Sequence, residues 1–141
     1  QNEYSLLCRL YDTDLAELSV NEEVGLIAFS PLAAGLLTGK YQGSVTPAGS
    51  RKTFTADLGG RTTQRVWPAV DAYSQIAAKH EVDIVHMSLA WCLTRPFMCS
   101  AIFGATRHAQ LEHILKTTDV ALSAECLTDI AEAHRSHPMP F

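Results

Sequence analysis

The sequence predicts an α/β fold in which parallel strands alternate with helices, and two observations support this prediction. First, residues 25–29 and 99–103 are short, near-continuous apolar runs, the pattern of parallel strands that are buried on both faces. Second, segments with apolar residues at helical spacing precede and follow these runs. Strands that alternate with helices form parallel sheets of βα units, so this order indicates an α/β protein.

The first half of the chain contains one helix, one strand and a long loop. Residues 12–23 are rich in helix formers and place Leu15 and Leu18 three positions apart, which predicts a short amphipathic helix. The first complete strand follows and ends at a Ser-Pro pair. Residues 42–62 combine several glycines with Ser, Thr, Arg and Lys and therefore predict a long, mobile loop.

The second half of the chain is mostly helical. Four helices are predicted, over residues 63–80, 84–94, 108–117 and 124–135. The first of them has apolar side chains at helical intervals: Val66, Val70, Tyr73 and Ala77. Ser123 is the candidate N-cap of the last helix, because serine side chains accept hydrogen bonds from the free N–H groups of a first turn.

The number of strands favours a part of a larger barrel over a small stand-alone domain. Two complete strands are too few for a parallel sheet with both faces covered, and a stand-alone sheet would leave open strand edges. In eight-stranded α/β barrels the phosphate site lies in the loops after the last two strands. Both predicted strands of this chain end in loops that suit a phosphate, which favours the C-terminal half of such a barrel.

The loop after the second strand reads FGATRHAQL. Gly104 lets the backbone approach a ligand closely, and Thr106 or Arg107 stands where a helix begins. A helix N-terminus has unpaired N–H groups and the positive end of the helix dipole, so it attracts anions. The Arg107 guanidinium adds a planar fork that matches a phosphate. The alternative is an ordinary turn with a threonine cap and a solvated arginine.

The loop after the first strand begins in the segment IAFSPLAAGLLTGKY. Phe29 and Ser30 fall at the carboxyl end of the strand, where barrel enzymes place their sites, and Lys40 adds a cation farther along. Each residue alone has a simpler explanation, because Phe29 suits a core position, Ser30-Pro31 suits a turn and Lys40 suits a solvated surface. The ordered set favours an anion site.

Composition excludes several classes of function. The formal net charge of −4 argues against a general nucleic-acid or membrane-surface binder, and no apolar run approaches the ~20 residues of a membrane span. The four cysteines lack CxxC spacing, so they are expected to be reduced, mostly buried thiols of a cytoplasmic protein. The spacing of the six histidines completes no recognisable zinc set, so no metal site is predicted.

Three segments, QNEYSLL, AFSPLAAGLLTGKY and IFGATRHAQL, resemble segments of the aldo-keto reductases. The resemblance is to the bacterial reductases and the potassium-channel β-subunit-like members, and it covers essentially the whole chain. It implies that residues 1–141 are the C-terminal part of a (β/α)8 TIM barrel that is incomplete as given. It also implies an oxidoreductase that binds NADP(H) without a Rossmann domain and moves a hydride between the nicotinamide and a carbonyl or alcohol substrate.

The resemblance assigns cofactor contacts to the start of the chain and to the loop after the first strand. Gln1 matches the glutamine that contacts the nicotinamide carboxamide, and Phe29 matches the aromatic side chain on which the nicotinamide ring stacks. Lys40 matches the lysine that neutralises phosphate charge, and Gly35 keeps the loop compact. The loop around the pyrophosphate is matched by Ser30, Pro31, Leu32 and Ala33.

The resemblance assigns the adenosine end of the cofactor to two other segments. Arg51 looks like the basic residue that closes over the adenosine, and Gln110 matches the glutamine below the 2′-phosphate. The loop around that phosphate is matched by Gly104, Thr106 and Arg107, which favours NADP over NAD. One position departs from the family pattern: Ile114 replaces an asparagine near the adenine, so the adenine contacts are weakened or are replaced by the neighbouring His113.

The catalytic Asp, Tyr, Lys and His of the family match no residue of this chain and belong to the N-terminal barrel half. No catalytic residue is therefore assigned, and the isolated chain is expected to be inactive until that missing half closes the barrel. Two alternatives stay open beside the reductase: a non-enzymatic, cofactor-binding regulatory subunit and an inactive truncated fragment.

Overall fold

A computed structural model describes residues 1–141 and contains one three-stranded parallel sheet with helices packed against it. The strands, in the spatial order β1-β2-β3, are β1 (Asn2–Glu3), β2 (Leu26–Phe29) and β3 (Met98–Ile102). The helices are α1 (Leu15–Asn21), α2 (Val66–Lys79), α3 (Ile84–Leu93), α4 (His108–Leu115) and α5 (Ala124–Ser136). The parallel sheet and the alternation of strands with helices confirm the predicted α/β class.

The register of the sheet places the carboxyl ends of all three strands at one edge. Phe29 at the end of β2 lies opposite Glu3 of β1 on one side and opposite Ile102 of β3 on the other. All pairs are parallel, so the chain leaves the sheet in the same direction after each strand. The segments that follow β2 and β3 therefore start side by side.

The prediction that both strands are buried on two faces is wrong for this chain. Burial alternates along β2: Leu26 and Ala28 are buried, whereas Ile27 is 41% and Phe29 is 38% exposed. No residue of β3 is fully buried. Leu26 and Ala28 join the helices in the main core, but the chain supplies no second layer for the opposite face. We call that opposite face, with Ile27, Phe29 and Ile102, the bare face.

An aromatic cluster forms one end of the main core. The rings of Tyr4 and Trp91 stack with their centroids 5.2 Å apart, and Phe97 meets Tyr4 edge-on at 5.6 Å. The Tyr4 hydroxyl donates a 2.6 Å hydrogen bond to the Asp12 carboxylate. Burial and this acceptor raise the pKa of Tyr4 far above its ordinary value. Tyr4 therefore stays neutral and joins the start of the chain to the α3–β3 region.

The long helices agree with their sequence patterns. The residues predicted to line the core side of α2 are all buried: Val66, Val70, Tyr73 and Ala77. The Ser123 side chain caps α5 by accepting a 3.1 Å hydrogen bond from the Cys126 N–H, as predicted. None of the helices combines the length and the hydrophobicity that crossing a bilayer demands.

Helix α1 is present, but its orientation differs from the prediction. Leu15 and Leu18 are 40% and 51% exposed, and the buried residue of the helix is Ser19. The Ser19 hydroxyl is hydrogen-bonded to the Tyr11 hydroxyl on the inward side of the helix, and both leucines face outward. The spacing of apolar residues therefore predicted the helix correctly and its buried side incorrectly.

The predicted loop over residues 42–62 lacks regular α or β structure, and several of its side chains attach it to the fold. Leu58 is buried in the main core. Arg61 forms a two-pronged ion pair with Glu3 of β1, with both Nη2–O distances at 2.7 Å. The C-terminal tail packs against the same region, because the Arg61 guanidinium lies over the Phe141 ring at 5.6 Å. The tail is thus an ordered part of the fold.

The four cysteines are all free, and they differ in exposure. Cys8, Cys92 and Cys126 are buried, and burial raises the pKa of each thiol, to about 12 for Cys92. Cys99 is exposed. Thiolates are the nucleophilic form, so exposure and thiol pKa together decide which cysteine reacts.

We predict that native alkylation of the 141-residue chain with iodoacetamide modifies Cys99 alone. Intact-mass spectrometry should show one adduct per chain without denaturant and four adducts in denaturant. The Cys99→Ser variant should show none under native conditions. Two or more adducts on the native protein would contradict the burial of the other three thiols.

Candidate functional site

The candidate site lies at the carboxyl edge of the sheet, where two loops meet. We call residues 30–41 the β2 loop and residues 103–107 the β3 loop. Leu32 of the β2 loop and Phe103 of the β3 loop both pack against one small apolar cluster, formed by Val85, Leu89 and Ile114. The two loops are therefore neighbours at this edge of the sheet.

The β2 loop has an unusual backbone. Five of its residues have positive φ angles: Ser30 (54°), Ala33 (47°), Ala34 (56°), Gly35 (96°) and Gly39 (73°). A Cβ atom added to Gly35 would lie 3.1 Å from the Lys40 Nζ and 3.3 Å from a Tyr41 ring carbon, so Lys40 folds back closely over this glycine. Pro31 and Ala33 point inward and are buried. A ligand on this loop therefore meets mainly backbone groups and the Lys40 ammonium.

The ammonium groups of two lysines lie close to the aromatic ring of Tyr41. The Lys40 Nζ lies 5.0 Å from the ring centroid, and the Lys52 Nζ lies 5.9 Å from it. Lys52 also stands 5.3 Å from the Trp67 ring centroid. Tyr41 itself is buried, and its hydroxyl has no hydrogen-bond partner. Sequence reasoning missed Lys52, although it is the residue directly after the candidate Arg51.

The loop over residues 42–62 connects this region to the β3 loop. Gly49 has a φ of 71°, and a Cβ atom added there would lie 3.9 Å from the Arg107 Nη2. The next residue, Ser50, is buried and its hydroxyl has no partner. Arg51 begins a short 3₁₀ segment and is exposed. The structure thus brings the segment that carries Arg51 next to the Arg107 guanidinium.

The β3 loop is open and leads directly into α4. A Cβ atom on Gly104 would meet no atom within 4 Å, so nothing in the chain covers this glycine. The Thr106 N–H and hydroxyl both donate to the Gln110 side-chain oxygen, at 3.0 and 3.2 Å. Arg107 is the exposed N-cap residue of α4, and its side chain makes no capping hydrogen bond. Its guanidinium instead extends toward Gly49 of the neighbouring loop.

Gln1 and His113 lie away from this pair of loops. Gln1 precedes β1, which is separated from β3 by β2, and the register places it level with Ile27 of the bare face. The His113 side chain contacts the N-terminal end of α3, where its Nε2 is 3.2 Å from an oxygen of Asp83. Ile114, at the position that departs from the family pattern, is buried in the small apolar cluster.

The arrangement combines features that suit an anionic ligand of extended shape. The cations Lys40, Lys52 and Arg107 line neighbouring loops, the start of α4 offers free N–H groups, and Phe29 presents an exposed aromatic ring at the end of β2. Such a surface is chemically suited to phosphates and to a stacked flat ring.

Comparisons with known proteins identify the family of this chain. The model of the Aldo/keto reductase family matches residues 1–135. Protein tas of Escherichia coli (strain K12) is 38% identical over 140 residues, which are 99% of this chain and 40% of that protein. A probable voltage-gated potassium channel subunit beta of Arabidopsis thaliana is 33% identical over 144 residues, 98% of this chain and 44% of that protein.

A third relative is an uncharacterized oxidoreductase of Mycobacterium tuberculosis (strain H37Rv), 35% identical over 125 residues, 86% of this chain and 38% of that protein. The chain therefore spans about 40% of the length of the curated relatives it matches. The family match covers nearly all of the 141 residues, including both loops of the candidate site. This chain belongs to the aldo/keto reductase family.

Proposed function

We propose that residues 1–141 are the C-terminal half of an aldo/keto reductase domain and form one wall of its NADP(H) site. The proposed activity is that of an oxidoreductase acting on a small carbonyl or alcohol substrate. The observation that carries the proposal is the meeting of the β2 and β3 loops at one sheet edge, with Lys40, Lys52 and Arg107 around them.

Two orphaned hydroxyls support the fit of a phosphate-bearing cofactor. The Tyr41 and Ser50 hydroxyls are buried without a partner, although an unsatisfied buried polar group costs about 1–3 kcal/mol. Both belong to the segment that carries the cations, since Tyr41 follows Lys40 and Ser50 precedes Arg51. Ligand oxygens are suitable partners for such hydroxyls, so the residues present fit the cofactor.

Each loop has a proposed task. The backbone of Ser30, Pro31, Leu32 and Ala33 holds the pyrophosphate, with Gly35 permitting the tight path. Lys40 balances its charge, and Arg51 lies toward the adenosine. The 2′-phosphate is assigned to Gly104, Thr106, Arg107 and Gln110. Because NAD lacks that phosphate, these contacts favour NADP.

The bare face is proposed to hold the nicotinamide side of the cofactor. When bound, NADP(H) supplies or accepts the hydride. Phe29 offers an exposed aromatic surface for the ring, and Gln1 reaches the same face two residues before Glu3 in β1. His113 is a weaker candidate for the adenine, because its ring is engaged by Asp83 and His86.

The bare face also supports the proposal that further strands complete the barrel. Ile27, Phe29 and Ile102 expose about two-fifths of their surface each, and an α/β barrel covers such a face with the other strands. We propose that the missing N-terminal half brings the catalytic Asp, Tyr, Lys and His and the remaining walls of the substrate pocket. The four free thiols further favour the cytoplasm as the compartment.

Fluorescence titration of the purified 141-residue chain with NADPH and NADH tests the cofactor assignment. We expect weak but saturable NADPH binding, with NADH at least about tenfold weaker, because one charge-assisted phosphate contact has roughly that value. No reduction of an aldehyde panel is expected from the chain alone. Equal affinity for both cofactors would contradict the 2′-phosphate assignment, and NADPH-dependent turnover would contradict the placement of the catalytic groups elsewhere.

A regulatory role is the second candidate function, favoured by the 33% identity with a probable potassium channel subunit beta. In that case the same loops bind NADP(H), and the protein responds to the cofactor without turnover. Assays of the longest natural form of the protein distinguish the two functions. Aldehyde reduction supports the enzyme, and cofactor binding without reduction supports the regulator. An inactive fragment would bind no cofactor.

A further inference from the structure

A cluster of potential metal ligands lies between α3 and α4, on the side of α4 away from the β3 loop. Asp83 is the N-cap residue of α3, His86 is in the first turn of that helix, and His113 is in the last turn of α4. One donor atom from each residue lies within 4.8 Å of the other two. The Asp83 Oδ1 and the His113 Nε2 are 3.2 Å apart.

Backbone groups orient two of these three side chains. The Asp83 Oδ1 accepts hydrogen bonds from the N–H groups of Val85 (2.8 Å) and His86 (3.2 Å). The His86 Nε2 lies 2.7 Å from the His113 carbonyl oxygen. A carbonyl oxygen only accepts, so Nε2 carries the hydrogen and Nδ1 keeps the lone pair that a metal requires. Metal-binding histidines commonly donate their second ring N–H in this way.

We propose that Asp83, His86 and His113 bind a divalent transition-metal ion, with Zn²⁺ as the reference ion. Two imidazoles and a carboxylate are a donor set suited to Zn²⁺ and poorly suited to Mg²⁺ or Ca²⁺, which prefer oxygen ligands. Donors at about 2.0–2.1 Å from a tetrahedral zinc are about 3.3 Å from each other. The Asp83–His113 pair already has this separation.

Binding requires donor atoms that now lie within 4.8 Å of one another to approach the roughly 3.3 Å separation of tetrahedral ligands. Asp83 is exposed and both histidines are half-buried, so an ion reaches the cluster from solvent and water completes its coordination. The imidazole rings of His86 and His113 lie 4.5 Å apart at a tilt of 32°. An ordinary Asp83–His113 ion pair needs no second imidazole, whereas a metal site needs all three side chains.

The site would connect two helices that are distant in sequence. Its ligands come from residues 83–86 and from residue 113, so an ion joins the N-terminal end of α3 to the C-terminal end of α4. Binding to the folded state alone raises stability in proportion to the logarithm of metal concentration. The site shares only His113 with the proposed cofactor contacts, and none of its three side chains touches the β2 or β3 loop cations in the contacts described above.

Isothermal titration of the tag-free, chelator-treated chain with ZnCl₂ tests the proposal, in a Cys99→Ser background that removes the exposed thiol. We expect one ion per chain and a melting temperature that rises with Zn²⁺ concentration. Co²⁺ should give ligand-field absorption bands in the visible range. Absence of saturable Zn²⁺ binding would overturn the proposal.

Three variants and one control identify the ligands. His86→Gln and His113→Gln should each weaken Zn²⁺ binding by more than the about 10- to 100-fold that loss of an outer-shell partner costs. Asp83→Asn removes the carboxylate but keeps a residue that caps helices equally well, so binding should fall while the circular dichroism spectrum stays unchanged. His108→Gln, on the exposed side of α4, should leave the affinity unaltered. Undiminished binding in the three ligand variants would overturn the assignment.

Discussion

Replacing Arg107 with methionine is expected to weaken NADPH binding by about 10- to 100-fold and to leave NADH binding nearly unchanged. The guanidinium is exposed at the N-cap of α4 and has no partner of its own there. Hydrogen bonds to charged groups contribute about 1.5–3 kcal/mol, which corresponds to this range of affinity. Methionine keeps an unbranched stem and removes only the charge and the donors. Cofactor fluorescence measures both affinities.

Arg65 supplies the matched control for this experiment. It is likewise an exposed arginine at a helix N-cap, that of α2, and its side chain reaches the Met139 carbonyl oxygen at 3.3 Å. Arg65→Met should change neither affinity. An equal loss of NADPH and NADH binding in Arg107→Met would show that the residue supports the fold of the β3 loop and does not recognise the 2′-phosphate. Equal losses in both variants would indicate a nonspecific charge effect.

Trp91→Ala is expected to lower the free energy of unfolding by about 3–5 kcal/mol, the usual cost of truncating a large buried aromatic side chain. Trp91 is 3% exposed and stacks on Tyr4 at 5.2 Å. The guanidinium groups of Arg9 and Arg95 lie 4.9 and 5.5 Å from its ring and lose that contact. Small domains are stable by only about 5–15 kcal/mol, so urea unfolding followed by circular dichroism should show a large decrease.

Trp67→Ala is the comparison variant, because Trp67 is the other tryptophan of the chain. Its side chain is half-buried at the edge of the main core and has the Lys52 ammonium 5.3 Å from its ring. Truncation there should cost clearly less than at Trp91, about 1–2 kcal/mol, since less apolar surface leaves water on folding. Similar losses in the two variants would contradict the central place of the Tyr4–Trp91 pair.

The helices were the most predictable part of the fold, because their signals are local. The periodic apolar positions of α2 and the Ser123 cap of α5 depend on neighbours within one or two turns. The exposed face of the sheet was not predictable in this way. An apolar strand such as β2 indicates that both of its faces are to be covered, but it does not indicate which segment covers the second face. The side of α1 that is buried was not predictable either, because the buried residue is the polar Ser19, which meets the Tyr11 hydroxyl.

The candidate site likewise combines features that a local motif predicts with features that depend on tertiary packing. Gly104, Thr106 and Arg107 lie within four positions of the sequence, so a motif predicts that they lie together. The Thr106 N–H also donates a hydrogen bond to the Gln110 side chain one turn later. Sequence reasoning missed Ser50 and Lys52, because burial and the approach to Tyr41 arise from the path of a long irregular loop. The pairing of His86 with His113 depends on how α3 packs on α4, and no spacing rule links residues 27 positions apart.

The positive φ angles in the β2 loop have a consequence for how a ligand would bind. Ser30, Ala33 and Ala34 each adopt a conformation that costs an L-residue about 1–2 kcal/mol, yet the segment is held by the Leu36 and Leu37 side chains in the core and by its own hydrogen bonds. The backbone of this loop is therefore preorganised before a ligand binds. For the pyrophosphate that is proposed to bind here, the loop needs little rearrangement, so binding loses little backbone conformational entropy.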